Sequence, residues 1–270
     1  MNNIKIFCNW GLKFDFFHEK QIELYVDHIP NNPIPPNTVR FLFLLEPPEI
    51  VDLTQIALNS YNNGFYNCLL THNQDLLDRC SNSVNFPLAS TWIKDYNFPE
   101  KEYSVSTLVG GKRMANGHIV RQRLWDRQNE IKNIKTNFFI SGNFKGNLHN
   151  PNNNPILGSK KDPLFNSQFS IIIENTFRRN WFTEKIIDAL QTKTVPIYLG
   201  CPNIGDWFNT NGMFICNNES EVIKICNNLT EGTYEKMLPF VEENYTKSNA
   251  YSSLEERLIG AITSFLNKEN

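Results

Sequence analysis

Glu174, Asn175, Glu184 and Lys185 flank one short loop of this chain, while Glu46 and Arg121 stand at similar boundaries elsewhere. These groups can hold hydroxyls and phosphates: lysine brings a full positive charge, glutamate accepts hydrogen bonds, and asparagine accepts or donates them. Glu46 closes the apolar run 41–45 and is followed by Pro47 and Pro48, which stop a strand and leave the carboxylate at its tip. Between apolar surroundings and a cleft, such a carboxyl can have its pKa raised towards that of a useful base. A solvated acid capping a loop is the alternative, and position alone does not separate the two. Arg121 and Arg123 lie in a helical start, 121–127, with Leu124, Trp125 and Gln128 around them. Arginine grips phosphate oxygens with two parallel donors. Arg123 or Arg127 is also readable as a plain solvated charge.

The loop between Asn175 and Glu184 needs a strand before it and a helix after it. Residues 169–173 form a short apolar run rich in β-branched side chains, the mark of a strand buried on both faces. Thr183 is a good N-cap, and Ile186, Ile187, Ala189 and Leu190 supply the apolar side of the helix behind it. A second apolar run, 195–199, is closed by Gly200 and Pro202, and strand, helix and strand in that order imply a right-handed parallel crossover. Ligands of such sheets bind beyond the carboxyl ends of the strands. There the free N–H groups and the positive end of the helix dipole face a phosphate, together with Lys185. An ordinary surface Glu–Lys pair is the plainer reading of Glu184 and Lys185; the convergence of Glu174, Asn175, Glu184 and Lys185 on one edge favours a ligand.

Taken together, Glu174-Asn175-Thr176, an aromatic-containing loop, Thr183-Glu184-Lys185 and the Val-Pro-Ile-Tyr-Leu-Gly of 195–200 resemble the donor-binding signature of the family 10 α1,3/α1,4-fucosyltransferases. Residues 4–11, residues 39–46 ending in Glu46, and Arg121 resemble, in the same order, that family's first strand, the strand ending in its catalytic carboxylate, and its phosphate-binding arginine. The resemblance implies a GT-B-like α/β fold of two Rossmann-like domains facing a cleft. It implies an inverting, metal-independent glycosyltransferase with GDP-fucose as donor and a glycan as acceptor. Glu46 would be the general base, Arg121 and Lys185 would hold the diphosphate, and Asn175 and Glu184 would meet hydroxyls of the ribose or sugar. Trp181 stands where relatives usually carry tyrosine, so an indole would stack there without the phenol hydroxyl. This departure motivates a second reading, another nucleotide-activated sugar as donor. A nucleotide-sugar- or carbohydrate-binding protein without turnover is the reading from a different class.

The rest of the chain narrows the field. Its 270 residues are 40% hydrophobic and 13% aromatic, enough for two modest domains. With 26 basic against 28 acidic residues the net charge is -2, so no basic field recommends nucleic acid or an anionic membrane. Cys8, Cys68, Cys80, Cys201, Cys216 and Cys226 lack paired C-x-x-C spacing, and His18, His28, His72, His118 and His149 form no ligand pair, so no metal is expected. No Asp-X-Asp triplet occurs, and Gly110-Gly111-Lys112 lacks the spacing of a nucleotide-triphosphate loop. The start runs straight into a strand-like segment, so a cytoplasmic enzyme without an integral membrane segment is expected, like the soluble bacterial or virus-encoded members of the family.

The pattern predicts an acceptor-side domain over 1–97, a donor domain over 98–250 and a C-terminal helix, 251–270, packing back on the first domain. Strands are expected at 3–8, 40–45, 66–70, 103–109, 137–140 and 213–216 besides the two above, and helices at 118–131, 219–229 and 253–266. The aromatic-rich stretch 92–98, bracketed by Pro87 and Pro99, reads as the linker. The Asn- and Pro-rich segment 148–157 reads as a mobile surface loop; Gly110 to Arg113 follow the strand 103–109, and the strand 137–140 ends at Ser141 to Asn143. Acceptor contacts are expected from loops 11–20 and 59–66.

Overall fold

The computed structural model describes residues 3–9, 11–142, 150 and 152–268. Expectations that fall on Trp10, Asn143, His149 and residues 148, 149 and 151 of the expected loop lie outside the described residues. The chain divides into two compact units, one of Met1–Leu88, Arg179–Trp181 and Ser253–Asn270, the other of Ala89–Arg178 and Phe182–Ser252.

The first unit holds β1 (Ile4–Phe7), β2 (Gln21–Val26), β3 (Thr38–Leu44), helix α1 (Thr54–Asn62), β4 (Cys68–Thr71), α2 (Gln74–Arg79) and β5 (Ser83–Asn85). Its five strands are all parallel and neighbour one another in chain order. The central strands are buried on both faces, which is why β3 reads as a continuous apolar run. Leu42, Leu44 and Leu69 pack with Ala57 and Leu58 of α1 and Leu76 of α2, while Phe41 and Phe43 belong to a second cluster. β2 was not legible because Glu23 interrupts its apolar pattern. Its carboxylate is buried and meets the equally buried Arg40 of β3 at 2.8 Å, as a charge inside a sheet requires.

The second unit starts with β6 (Glu102–Val109), α3 (Asn116–Asp126), β7 (Lys135–Ser141), β8 (Ile156–Leu157) and β9 (Ser167–Ile173). It continues with α4 (Glu184–Gln191), β10 (Val195–Leu199), β11 (Phe214–Ile215), α5 (Glu219–Asn228) and α6 (Thr233–Ser248). Its strand order is β11-β10-β9-β6-β7-β8, all parallel. Helices cover both faces: α3 and α5 contribute Val120, Leu124 and Val222 to one cluster, and α4 contributes Ile186, Ile187 and Leu190 to the other. From β6 the chain winds one way to β8, then returns beside β6 with β9 and winds the other way. The order therefore reverses between β6 and β9, the point at which doubly wound sheets open a crevice beyond their strand ends.

The last helix, α7 (Leu254–Leu266), returns to the first unit. Leu258, Ile262 and Leu266, spaced four apart on one face, join the cluster of Ile22, Leu24 and Phe41.

Several boundaries differ from expectation. The helix expected over 118–131 ends at Asp126, and a 3₁₀ turn, Gln128–Glu130, follows it. Within the segment expected to be a loop, Ile156 and Leu157 pair with β7. α6 was not foreseen, because Pro239 interrupts its pattern. The division falls between Leu88 and Ala89 rather than between 97 and 98. Residues 89–98 are no free linker: Ala89 and Ile93 enter the core of the second unit, and Tyr96 donates its hydroxyl to the carbonyl of Phe165.

Candidate functional site

β9 is buried along its whole length and ends by delivering Glu174 and Asn175 to the crevice between β6 and β9. Glu174 is fully buried, and its two oxygens accept the backbone N–H of Thr183 at 2.9 Å and the Thr183 hydroxyl at 2.8 Å. It ties the end of β9 to the start of α4, so its part is to brace the loop between them. Burial, the largest influence, raises its pKa against the pull of Lys185.

Thr183 caps α4, its hydroxyl accepting the N–H of Lys185. The ammonium of Lys185 stands 3.0 Å from that hydroxyl, 3.2 Å from Glu184 Oε1 and 3.7 Å from Glu174 Oε2. Burial works against its charge, but Glu184 and Glu174 together hold its pKa above the usual value. Glu184 also suffers desolvation, yet Lys185 and Lys161 bring its pKa down to about 2. Both groups are therefore ionised at neutral pH.

On the opposite side, α3 supplies Arg121. Its guanidinium donates to the carbonyl of Ile173 and, at 2.8 Å, to Oδ1 of Asn175. Burial lowers its pKa to about 10, while Glu174 and Glu184 oppose the shift, so it too remains a cation at neutral pH. α3 reaches this position because Gly117 has no side chain. A Cβ there would stand 1.7 Å from the carbonyl oxygen of Glu174, and its N–H donates to the carbonyl of Asn175 at 2.9 Å.

The structure thus brings Arg121, Asn175, Glu184 and Lys185 together at the reversal point of the second sheet: two cations, an amide and a carboxylate around the first turn of a helix. That arrangement can neutralise a diphosphate and hydrogen-bond hydroxyls. Lys161 was missed by sequence reasoning. It lies 3.8 Å from Glu184 and 2.9 Å from the buried Asp188, under the ring of Trp92 at 4.0 Å. Asp188 also accepts the Thr91 hydroxyl and the Trp92 N–H, each at 2.8 Å. Nothing local in the sequence marks this network, since its partners come from three separate segments.

Trp181 groups with the first unit. Its indole is 1% exposed and packs edge-on to His72 at 6.3 Å, and Nε1 has no hydrogen-bond partner among the described residues. The preceding Asn180 takes a positive φ of 63° and donates to Gln74 at 2.8 Å. Glu46 follows β3 in the first unit and lines a small cavity with Thr54, Thr71, His72 and Asn73. Asp27, at the end of β2, accepts the N–H of Leu45 at 2.8 Å and also bonds the backbone of Glu46. A carboxylate one strand away therefore sets the backbone that carries Glu46. Among the described residues no group of three or more His, Cys, Asp or Glu is placed to hold a metal ion. No helix among them is long and apolar enough to cross a membrane.

No protein-family model matches the chain. A stretch of 90 residues, 33% of the chain, is 30% identical to the alpha-(1,3)-fucosyltransferase FucT of Helicobacter pylori, and spans 17% of that protein's length. Among solved structures, an alpha1,3-fucosyltransferase with GDP superposes with a TM-score of 0.52 at 17% identity, over 86% of this chain and 77% of that one. An alpha1,3-fucosyltransferase with GDP-fucose gives 0.51 at 14% identity, over 89% and 81%. The pneumococcal O-GlcNAc transferase GtfA, in complex with UDP and GlcNAc, gives 0.55 at 10% identity, over 90% and 57%. At these identities the likeness is one of fold: two parallel-sheet α/β units of the GT-B-like class.

Proposed function

We propose that the protein is an inverting fucosyltransferase that moves fucose from GDP-fucose to a hydroxyl of a glycan without a metal. The observation that carries this reading is the cluster at the reversal of the second sheet, where Arg121 and Lys185 flank Asn175 and Glu184. The sequence similarity to FucT over 90 residues directs the choice of donor. Glu46 takes the proton of the acceptor hydroxyl, and the freed oxygen attacks the anomeric carbon from the face opposite the diphosphate. The bond between that carbon and the phosphate oxygen breaks, and its electron pair leaves with GDP. Arg121 and Lys185 meet the charge that grows on the leaving group, and Asn175 and Glu184 hold hydroxyls of the donor. A β-linked donor thus gives an α-linked product.

The deciding experiment is turnover of GDP-fucose with lactosamine-type and simple sugar acceptors, run with and without a chelator. Transfer is expected to survive chelation and to fall by about 10² to 10⁴ in Glu46→Gln; normal activity in that variant would remove Glu46 from its role.

One observation favours a second donor class. Trp181 replaces the tyrosine usual at its position with a buried indole that offers no hydroxyl. A thermal-shift comparison of GDP, UDP, ADP and CDP separates the two: stabilisation by GDP alone supports the first reading, and by another diphosphate the second.

A further inference from the structure

His118 sits at the start of α3, between Gly117, which touches the end of β9, and Arg121, one helical turn later on the same face. It is 7% exposed. Nδ1 accepts the N–H of Ala115 at 3.1 Å, and a neutral imidazole whose Nδ1 accepts must carry its proton on Nε2. The backbone thus fixes the tautomer and leaves one donor unspent on the helix cap. The charged groups that act on the ring are all cations: Arg121 on its own helix, Lys112 from the preceding turn and Lys185 from α4. The carboxylates across the loop, Glu174 and Glu184, are already engaged by Thr183 and Lys185.

Burial and, after it, those three cations push the His118 pKa down to about 4. Protonating Nδ1 would also put two hydrogens between it and the Ala115 amide. The ring is therefore held neutral, among cations, with a single N–H to give.

We propose that His118 is a further donor-site residue, giving its Nε2–H to a phosphate oxygen of the nucleotide sugar beside Arg121 and Lys185. The inference rests on the nucleotide-sugar reading above and adds to it a neutral hydrogen-bond donor of fixed tautomer. A neutral donor adds directionality to the two cations and keeps its protonation state across the physiological range. Binding of the diphosphate then shows no titration step from this ring.

Two substitutions separate a ligand contact from a structural one. His118→Asn keeps an acceptor for the Ala115 amide and loses the Nε2 donor, whereas His118→Gln keeps a donor near Nε2 and loses the acceptor. Calorimetric titration of the full chain with GDP, and with inorganic pyrophosphate as a probe without a base, is carried out between about pH 5.5 and 8. His118→Asn is expected to lose about 10-fold or more in affinity for both probes, with little change in melting temperature. His118→Gln is expected to melt earlier and to regain most of the affinity lost in the asparagine variant. The probes' own phosphates titrate at about pH 6, and the wild type and His118→Gln are expected to share that one inflection with no further step from the ring.

Unchanged affinity in His118→Asn, with the wild type binding normally, overturns the assignment of His118 and leaves the donor site intact. A wild type that binds pyrophosphate in a His118-dependent way but not GDP overturns the guanosine reading and leaves His118 in place. A wild type that binds neither overturns both.

Discussion

Arg121 donates a hydrogen bond to Oδ1 of Asn175 at 2.8 Å, although the two residues are 54 positions apart. The same guanidinium donates to the carbonyl of Ile173, so one side chain of α3 is anchored on both the backbone and the side chain at the end of β9. A guanidinium held this way is oriented before any ligand arrives, which lowers the ordering cost of binding. Its position at the reversal of the second sheet is where the strand order opens a crevice.

Arg121→Lys tests the anchor. A lysine keeps the charge but cannot reach two acceptors in a fixed fork. Affinity for GDP is expected to fall about 10-fold or more, read by calorimetry, with the far-UV circular dichroism unchanged. Wild-type affinity in this variant would make Arg121 a structural residue only.

Gly117→Ala tests the approach of α3 to β9. The new Cβ would meet the Glu174 carbonyl oxygen at 1.7 Å, and backbone on both sides must move. A loss of about 1–3 kcal/mol or more is expected from the clash, measured by denaturant titration, together with weaker GDP binding. Gly232→Ala is the control, since a Cβ there meets nothing within 4 Å. Equal stability of the two variants would contradict the close approach.

Asp188→Ala tests the network behind Glu184. Asp188 is fully buried and holds Lys161, Thr91 and the Trp92 amide. Removing it leaves Lys161 with Glu184 and leaves the Thr91 and Trp92 donors unpaired, at a cost of about 1–3 kcal/mol. A stability change within experimental error, measured by chemical denaturation, would show that the network contributes nothing.

Lys101 gives the stability a pH dependence. Its ammonium lies against the Phe165 carbonyl and, at 2.6 Å, the Thr194 hydroxyl, with the Tyr96 hydroxyl at 3.3 Å. Burial lowers its pKa from the usual 10.5 to about 7. Below about pH 7 both folded and unfolded chains hold this proton; above it the unfolded chain binds more, so stability rises with pH towards the unfolded value. The melting temperature of the wild type is expected to gain from this group between about pH 7 and 9, and Lys101→Met is expected to lose that gain. A variant with the same slope as the wild type would place the effect elsewhere.

Much of the second unit is legible in its sequence. The runs 169–173 and 195–199, the Thr183 cap and the apolar side of α4 are local patterns, and local patterns survive in a one-dimensional string. Glu174 shows the limit of that reading. At the end of its strand it looked like one more ligand, but both its oxygens face Thr183 and no solvent reaches it. β2 and α6 were hidden for a related reason: Glu23 and Pro239 break the expected periods, and only Arg40 in the next strand explains the first of them.

The sequence by itself determined the kind of fold, the place of the loop between Asn175 and Glu184, and the residue types available there, because strand and helix signals and caps act over a few neighbouring residues. The tertiary structure alone decided that β6 and β9 lie side by side, so that Arg121 meets Asn175, Lys185 stands between two carboxylates, and His118 is held neutral among three cations. The contact of Arg121 with Asn175 joins positions 54 residues apart, and burial and charge at such a point depend on which strands become neighbours.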